Sequence, residues 1–90
     1  MKTIKAIASG KVQGVCYRMY TQQKARQLGV KGYVRNLRNG DVEIVAKGEE
    51  IAVDAFTQWA KSGSPEAVVS NVEVELITDE LEFKGFEIRR

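Results

Sequence analysis

Residues 3–9 alternate, with Ile4, Ala6 and Ala8 on one face and Lys5, Ile7 and Ser9 on the other. A period of two over a half-apolar run predicts a strand with one buried face. Over residues 18–28 the pattern changes to a helical stripe of Tyr17, Thr21, Ala25 and Leu28, and Gly29 stands where a helix stop is expected. Residues 31–38 read as a second strand. Asn39-Gly40 then predicts a type I′ hairpin turn into a third strand over 41–47, with Val42, Ile44 and Ala46 inward and Glu43 and Lys47 outward. Gly48-Glu49-Glu50 opens a second helix with acids at its positive end. Its predicted buried stripe is Ala52, Phe56, Trp59 and Ala60, at spacings i, i+4, i+7 and i+8, and Gly63 marks its stop. Residues 62–65 form a loop holding the only proline. Residues 71–77 make a fourth strand in which Val72, Val74 and Leu76 alternate with Glu73 and Glu75. An acidic connection, 78–82, leads to a short last strand within 83–89, with Phe86 and Ile88 on one face.

The order is βαββαβ plus a terminal strand, the split-βαβ or ferredoxin-like pattern of the α+β class. It predicts an antiparallel sheet with two helices on one face and a short C-terminal strand added. Ninety residues make a single domain, 1–90, that buries roughly two-thirds of its unfolded surface. The right-handed crossover makes the first two strands parallel, and the split pattern puts the third strand between them. The turns that follow strands 1 and 2 then share one sheet edge, about 10 Å apart. Such a fold hosts many functions and by itself names none.

Composition narrows the classes. Hydrophobic residues are 43% and charged residues 29%, as in an ordinary soluble globular chain. The net charge of +2 conceals a division: residues 1–40 carry nine Lys or Arg and no acid, and residues 41–90 carry five Lys or Arg and all twelve acids. The basic half would gather an anionic partner. Cys16 is the only cysteine, which excludes an internal disulfide and suits a reducing compartment. No apolar run reaches the length of a signal peptide core or a membrane span, so a cytoplasmic protein with no membrane partner is expected. There is no histidine, hence no histidine-activated nucleophile and no histidine metal site. A cysteine-dependent phosphatase would need Arg six residues after Cys16, where Gln22 stands. No Walker-type string is present. Neither a metal nor a cofactor is expected.

Chemistry concentrates in Gly10-Lys11-Val12-Gln13-Gly14-Val15-Cys16-Tyr17-Arg18, where a strand turns into a helix. Glycines allow close backbone approach. A helix start has unpaired N–H groups and a dipole that favours negative charge, and Arg18 adds a fixed planar cation. Together these form a cradle for one phosphate-sized anion. On these residues alone, a plain strand-to-helix turn with a surface arginine fits as well.

The whole string resembles the acylphosphatase signature G-x-V-Q-G-V-x-[FY]-R. The family's second signature matches in Gly32-Tyr33-Val34-Arg35-Asn36, Gly40, Val42 and Gly48, at the family spacing. The resemblance spans nearly the full chain. It implies a hydrolase that cleaves acyl phosphates to carboxylate and inorganic phosphate. By matching position, Arg18 binds the phosphate, the backbone N–H groups of Gln13, Gly14, Val15, Cys16, Tyr17 and Arg18 complete the site, and Asn36 orients the attacking water. Leu37 stands where some members have Thr. A small-molecule substrate, no nucleic acid and a monomer are the expected partners and state. Cys16 is read as a cradle residue through its backbone, with a redox-sensitive thiol as the alternative. Lys31, Arg35 and Arg38 read as solvated, Tyr33, Phe56 and Trp59 as core or sheet-face residues.

A ferredoxin-like RNA-binding module is the rival from another class. Lys31-Gly32-Tyr33 begins like its aromatic motif, but Val34, Arg35 and Asn36 depart from it, and the motif would sit on the wrong strand. A regulatory domain of a larger carbamoyl-handling protein is a third reading, which the expectation that this chain stands alone disfavours.

Overall fold

A computed structural model describes residues 1–90 and shows the predicted order of elements. These are β1 (Lys2–Lys11), α1 (Tyr17–Leu28), β2 (Lys31–Asn36), β3 (Val42–Gly48), α2 (Glu50–Ala60), β4 (Val68–Leu76) and β5 (Phe86–Arg89). The sheet order is β4-β1-β3-β2-β5. β3 lies between β1 and β2 and pairs antiparallel with both, so the turns after β1 and β2 do share one edge. The sheet is not wholly antiparallel. β5 pairs parallel to β2, in the register Gly32↔Phe86 and Val34↔Ile88, which makes a mixed sheet of five strands.

Alternation along each strand fills one face with apolar side chains, which the two helices cover. Ile4, Ala6 and Ala8 of β1, Val34 of β2, Val42, Ile44 and Ala46 of β3 and Phe86 of β5 meet Tyr17 and Ala25 of α1 and Val53, Phe56 and Ala60 of α2 in one buried cluster. Phe56 stacks on Trp59 with ring centroids 6.2 Å apart and meets Phe86 edge-on at 5.7 Å. Burial of each large side chain here contributes on the order of 2 kcal/mol. The α2 stripe is centred on Val53, Phe56 and Ala60, while Ala52 and Trp59 are only half-buried. The predicted stripe was thus rotated by about one residue.

Two local expectations are corrected. β2 ends at Asn36, and the β2–β3 connection is not a type I′ turn. Such a turn requires positive φ at both central residues, yet the only non-glycine residue with positive φ is Cys16. Instead the Leu37 N–H donates to the Asp41 carbonyl at 2.8 Å, the Gly40 N–H donates to the Leu37 carbonyl at 3.2 Å, and Gly40 alone is left-handed, with φ 95°. This is the three-residue form of hairpin loop. Asn39 stabilises it by accepting the Asp41 N–H on Oδ1 at 3.0 Å rather than by adopting positive φ. The alternation of β4 holds, with Val72, Val74 and Leu76 opposite Ala8, Ala6 and Ile4 on the helix side, yet Val74 is 47% and Leu76 66% exposed, because α1 and α2 pack mainly over β1, β2, β3 and β5.

The second correction concerns Glu43, expected to face outward. It does lie on the face opposite the helices, yet it is buried. Its carboxylate accepts from Arg35 Nε at 2.7 Å and from the Tyr33 hydroxyl at 3.0 Å, and Lys5 Nζ lies 3.8 Å away. The Arg35 hydrogen bond leads in holding the Glu43 carboxyl below its ordinary range, ahead of the opposing effect of burial. A carboxyl depressed in the folded state adds stability above its unfolded pKa, and that stability is lost as pH falls through the folded pKa. The expected outcome of urea titrations is a midpoint that is flat from pH 7 to about 5 and drops below about pH 4. Glu43→Gln should lower the midpoint at pH 7 and flatten the acid limb. An unchanged acid limb in the variant would exclude Glu43 as a source of the pH dependence.

Candidate active site

After β1 the chain turns through Val12–Cys16 into α1. Gly14 has φ 74° and Cys16 has φ 61° and ψ 21°, so two left-handed residues flank Val15. For glycine this conformation is free, but for cysteine it costs about 1–2 kcal/mol. Strain of this kind persists only where surrounding contacts impose it. Here the contacts are visible. Val12 is buried, the Ser64 hydroxyl donates to the Val15 carbonyl at 2.8 Å, and the Tyr17 hydroxyl donates to the Ala60 carbonyl at 2.7 Å. The Gln13 carboxamide nitrogen donates to the Leu37 carbonyl at 2.8 Å and to the Asp41 carbonyl at 2.9 Å.

The loop's donors are left free by this arrangement. No backbone N–H from Gln13 to Met19 donates to an acceptor in the protein. Cys16 caps α1 without a side-chain hydrogen bond, and no acid lies in the helix's first turn. A Cβ placed on Gly14 would meet nothing within 4 Å, so the loop faces open space. Unpaired N–H groups at a helix's positive end favour a negative charge there.

Arg18 and Asn36 both border that space. An open cleft of about 360 Å³ is lined by Val12, Gly14, Cys16, Tyr17, Arg18, Met19, Asn36 and Ile88. Arg18 Nη1 donates to the Arg89 carbonyl at 3.2 Å, and Arg18 forms no ion pair. Most of its guanidinium donors are therefore available to a ligand. Asn36 ends β2, and its Oδ1 is buried with no hydrogen-bond partner in the protein. An orphaned acceptor costs about 1–3 kcal/mol unless something outside the fold donates to it.

Residue order leaves open whether the terminal strand touches the site; in the structure β5 forms one wall. Arg18 and Gln22, four residues apart on one side of α1, donate to the carbonyls of Arg89 and Phe86, the latter at 2.9 Å. This docks the strand beside the loop and brings Ile88 into the cleft, with Met19 also on its lining. Both side chains are substantially exposed, at 40% and 43%. The alternation that aligned Ile88 with Phe86 marked its face, but not that this face runs past the core into a cleft.

The other named residues sort clearly. Gly14 and Cys16 line the cleft, and Val15 is half-buried with its carbonyl turned to Ser64. The Tyr17 side chain is wholly buried and stacks with Trp59 at 6.0 Å, and burial pushes its phenol above the ordinary range. Arg35 pairs with Glu43 on the far face of the sheet, away from the cleft. On that face Arg89 lies over the Tyr33 ring, 4.0 Å from its centroid, and buried Glu43 occupies the middle of the sheet. The Tyr33 ring is covered by Arg89 and meets Phe83 edge-on, so the RNA-binding reading finds no open stacking platform there. No group of three or more His, Cys, Asp or Glu is placed to hold a metal ion.

Because Tyr17 faces the core, Tyr17→Phe should leave the cleft unchanged and lose only the buried bond to Ala60. The expected outcome is a loss of about 1–2 kcal/mol in urea unfolding, with anion affinity preserved when inorganic phosphate is titrated by calorimetry. A variant as stable as the parent would remove this bond from the forces that hold the loop.

Comparison with known proteins agrees with this geometry. The family model described as Acylphosphatase matches residues 4–88. A protein from Acaryochloris marina named Acylphosphatase is 51% identical over 88 residues, covering 97% of this chain and 92% of the relative. One of the same name from Archaeoglobus fulgidus is 46% identical, covering 98% of both. The crystal structure of acylphosphatase from Bacillus subtilis superimposes with a TM-score of 0.96 at 33% identity over the full length of both chains. With a family model matched over residues 4–88 and relatives 46–51% identical over nearly the full chain, the chain belongs to the acylphosphatase family.

Proposed function

We propose that the free N–H groups of Gln13, Gly14, Val15, Cys16, Tyr17 and Arg18, together with the Arg18 guanidinium, hold a phosphoryl group, and that Asn36 aligns the water that attacks it. The chain is an enzyme that hydrolyses acyl phosphates, R–CO–O–PO₃²⁻, to a carboxylate and inorganic phosphate. The observation that carries the residue assignment is the cleft in which an anion-binding loop, an unpaired arginine and an orphaned Asn36 Oδ1 converge.

The reaction suits so small a set of groups. The leaving group is a carboxylate whose conjugate acid has a pKa of about 4, so it departs as a stable anion without a general acid. In a loose transition state much of the charge lies on the phosphoryl oxygens, and positioning with electrostatic stabilisation supplies the catalysis. Arg18 and the loop donors point fixed positive charge at those oxygens. Asn36 Oδ1 accepts a hydrogen bond from the water and thereby directs its lone pair at phosphorus. Asn is too weak a base to take that proton outright, so in this proposal the proton passes to the substrate's own phosphoryl oxygen. A pH–rate profile showing an enzyme group titrating as the base would exclude that step.

We further propose that residues 1–90 act as a single domain, without metal, cofactor or nucleic acid, as a cytoplasmic monomer. One core joins both ends of the chain, and no helix is long and apolar enough to cross a membrane. The exposed Cys16 thiol suits a reducing compartment. Glu73 and Glu75 on the uncovered edge strand disfavour pairing of β4 with a second copy.

Hydrolysis of an aromatic acyl phosphate in EDTA is the test. The wild type should turn over, Arg18→Ala and Asn36→Ala should each lose about 10²-fold in kcat/KM, and inorganic phosphate should inhibit competitively. A phosphate monoester should be a poor substrate because its leaving group needs a proton. Folded variants with wild-type rates would overturn the residue assignment.

A further inference from the structure

β1 and β2 are not neighbours: β3 stands between them. The loop that follows β1 and the hairpin that follows β2 therefore share no ladder of backbone hydrogen bonds. Beyond the last β2–β3 pair, Asn36↔Val42, the hairpin overhangs the sheet. Yet the reaction proposed above requires an anion on one of these segments and a water on the other to meet within a fraction of an ångström.

We infer that Gln13 is a positioning residue, whose side-chain carboxamide ties the anion loop to the Asn36 hairpin and so sets Asn36 relative to the bound phosphoryl group. This rests on the catalytic reading of Arg18 and Asn36. Gln13 Nε2 donates to the carbonyls of Leu37 and Asp41, at 2.8 and 2.9 Å. These two residues close the hairpin loop, since the Leu37 N–H donates to the Asp41 carbonyl, also at 2.8 Å. Leu37 is the residue bonded to Asn36. No other side chain from outside the hairpin bonds to residues 36–41, whose remaining side-chain bonds join Asn39 to Asp41. The Asn36 side chain offers no anchor of its own, because its Oδ1 has no protein partner.

The residue type follows from the task. Two carbonyl oxygens must be satisfied from one point, and a primary amide nitrogen carries two hydrogens. Glutamate ionised at neutral pH would set a negative oxygen against both carbonyls. Methionine fills the same space and donates nothing. Gln13 thus has two separate duties: its backbone N–H belongs to the anion loop, and its side chain reaches away to the second segment.

The test is the kinetics of Gln13→Met and Gln13→Glu, each alone and on the Asn36→Ala background, with an aromatic acyl phosphate as substrate and inorganic phosphate as inhibitor. The expected result for each single variant at pH 7 is a fall of about 10–100-fold in kcat, with the phosphate inhibition constant within about twofold of wild type. On the Asn36→Ala background neither substitution should cost a further factor, because Gln13 acts through Asn36. Gln13→Glu should regain kcat relative to wild type below about pH 5, where the protonated acid can donate. A loss that repeats in full on the Asn36→Ala background, or a phosphate affinity that falls in step with kcat, would overturn the inference. Gln13→Glu supplies the same cycle should Gln13→Met fail to fold. A wild type without turnover, or an Asn36→Ala variant as fast as wild type, would instead remove the catalytic reading on which the inference rests.

Discussion

Backbone N–H groups kept unpaired at the start of α1 are the constraint around which the rest of this fold is arranged. None of the N–H groups from Gln13 to Met19 donates within the chain, and the loop that carries them faces open space. Left-handed Gly14 and Cys16 set that curve, and the second conformation is strained. Hydrogen bonds to three separate parts of the fold hold it in that shape. Ser64 takes the Val15 carbonyl, Tyr17 reaches through the core to Ala60, and Gln13 binds the neighbouring hairpin. The hydrophobic core thus serves the site directly: Tyr17 and Phe56 both pack against Trp59, so α2 supports the loop from below.

From that constraint the chemistry follows with few groups. An acyl phosphate carries its own good leaving group, so the enzyme needs neither an acid nor a nucleophile. In the proposed mechanism it needs fixed donors, a fixed cation and one oriented water. Arg18 is braced on the Arg89 carbonyl by a single bond, which leaves the remaining guanidinium donors free. β5 is thereby drawn into the site although it is the shortest strand and the last in order.

Charge is separated across the sheet in a way that protects this arrangement. Arg35 and Lys5 are spent on Glu43, on the face away from the helices. The cleft retains Arg18 as the cation on its lining.

Much of this was legible in the residue pattern. Ile4, Ala6 and Ala8 against Lys5 and Ser9 marked β1, Gly29 marked the end of α1, and the element order implied that β3 separates β1 from β2. The glycine-rich turn with Arg18 indicated an anion, and the two signatures pointed to Arg18 and Asn36, because local periodicity and short motifs are written in consecutive residues. What required the tertiary structure depended on partners distant along the chain. Glu43 is buried because Arg35, Tyr33 and Lys5 come from two other strands. Asn39 avoids positive φ because its side chain can cap Asp41 instead, a choice that residue type leaves open. The exposure of Val74 and Leu76 depends on where the helices lie, and Ile88 joins the cleft because α1 docks β5 beside it. Residue order determined which elements form and which groups can bind an anion. Only the packing of elements decided how those groups are aimed, since direction is set by contacts that sequence spacing does not encode.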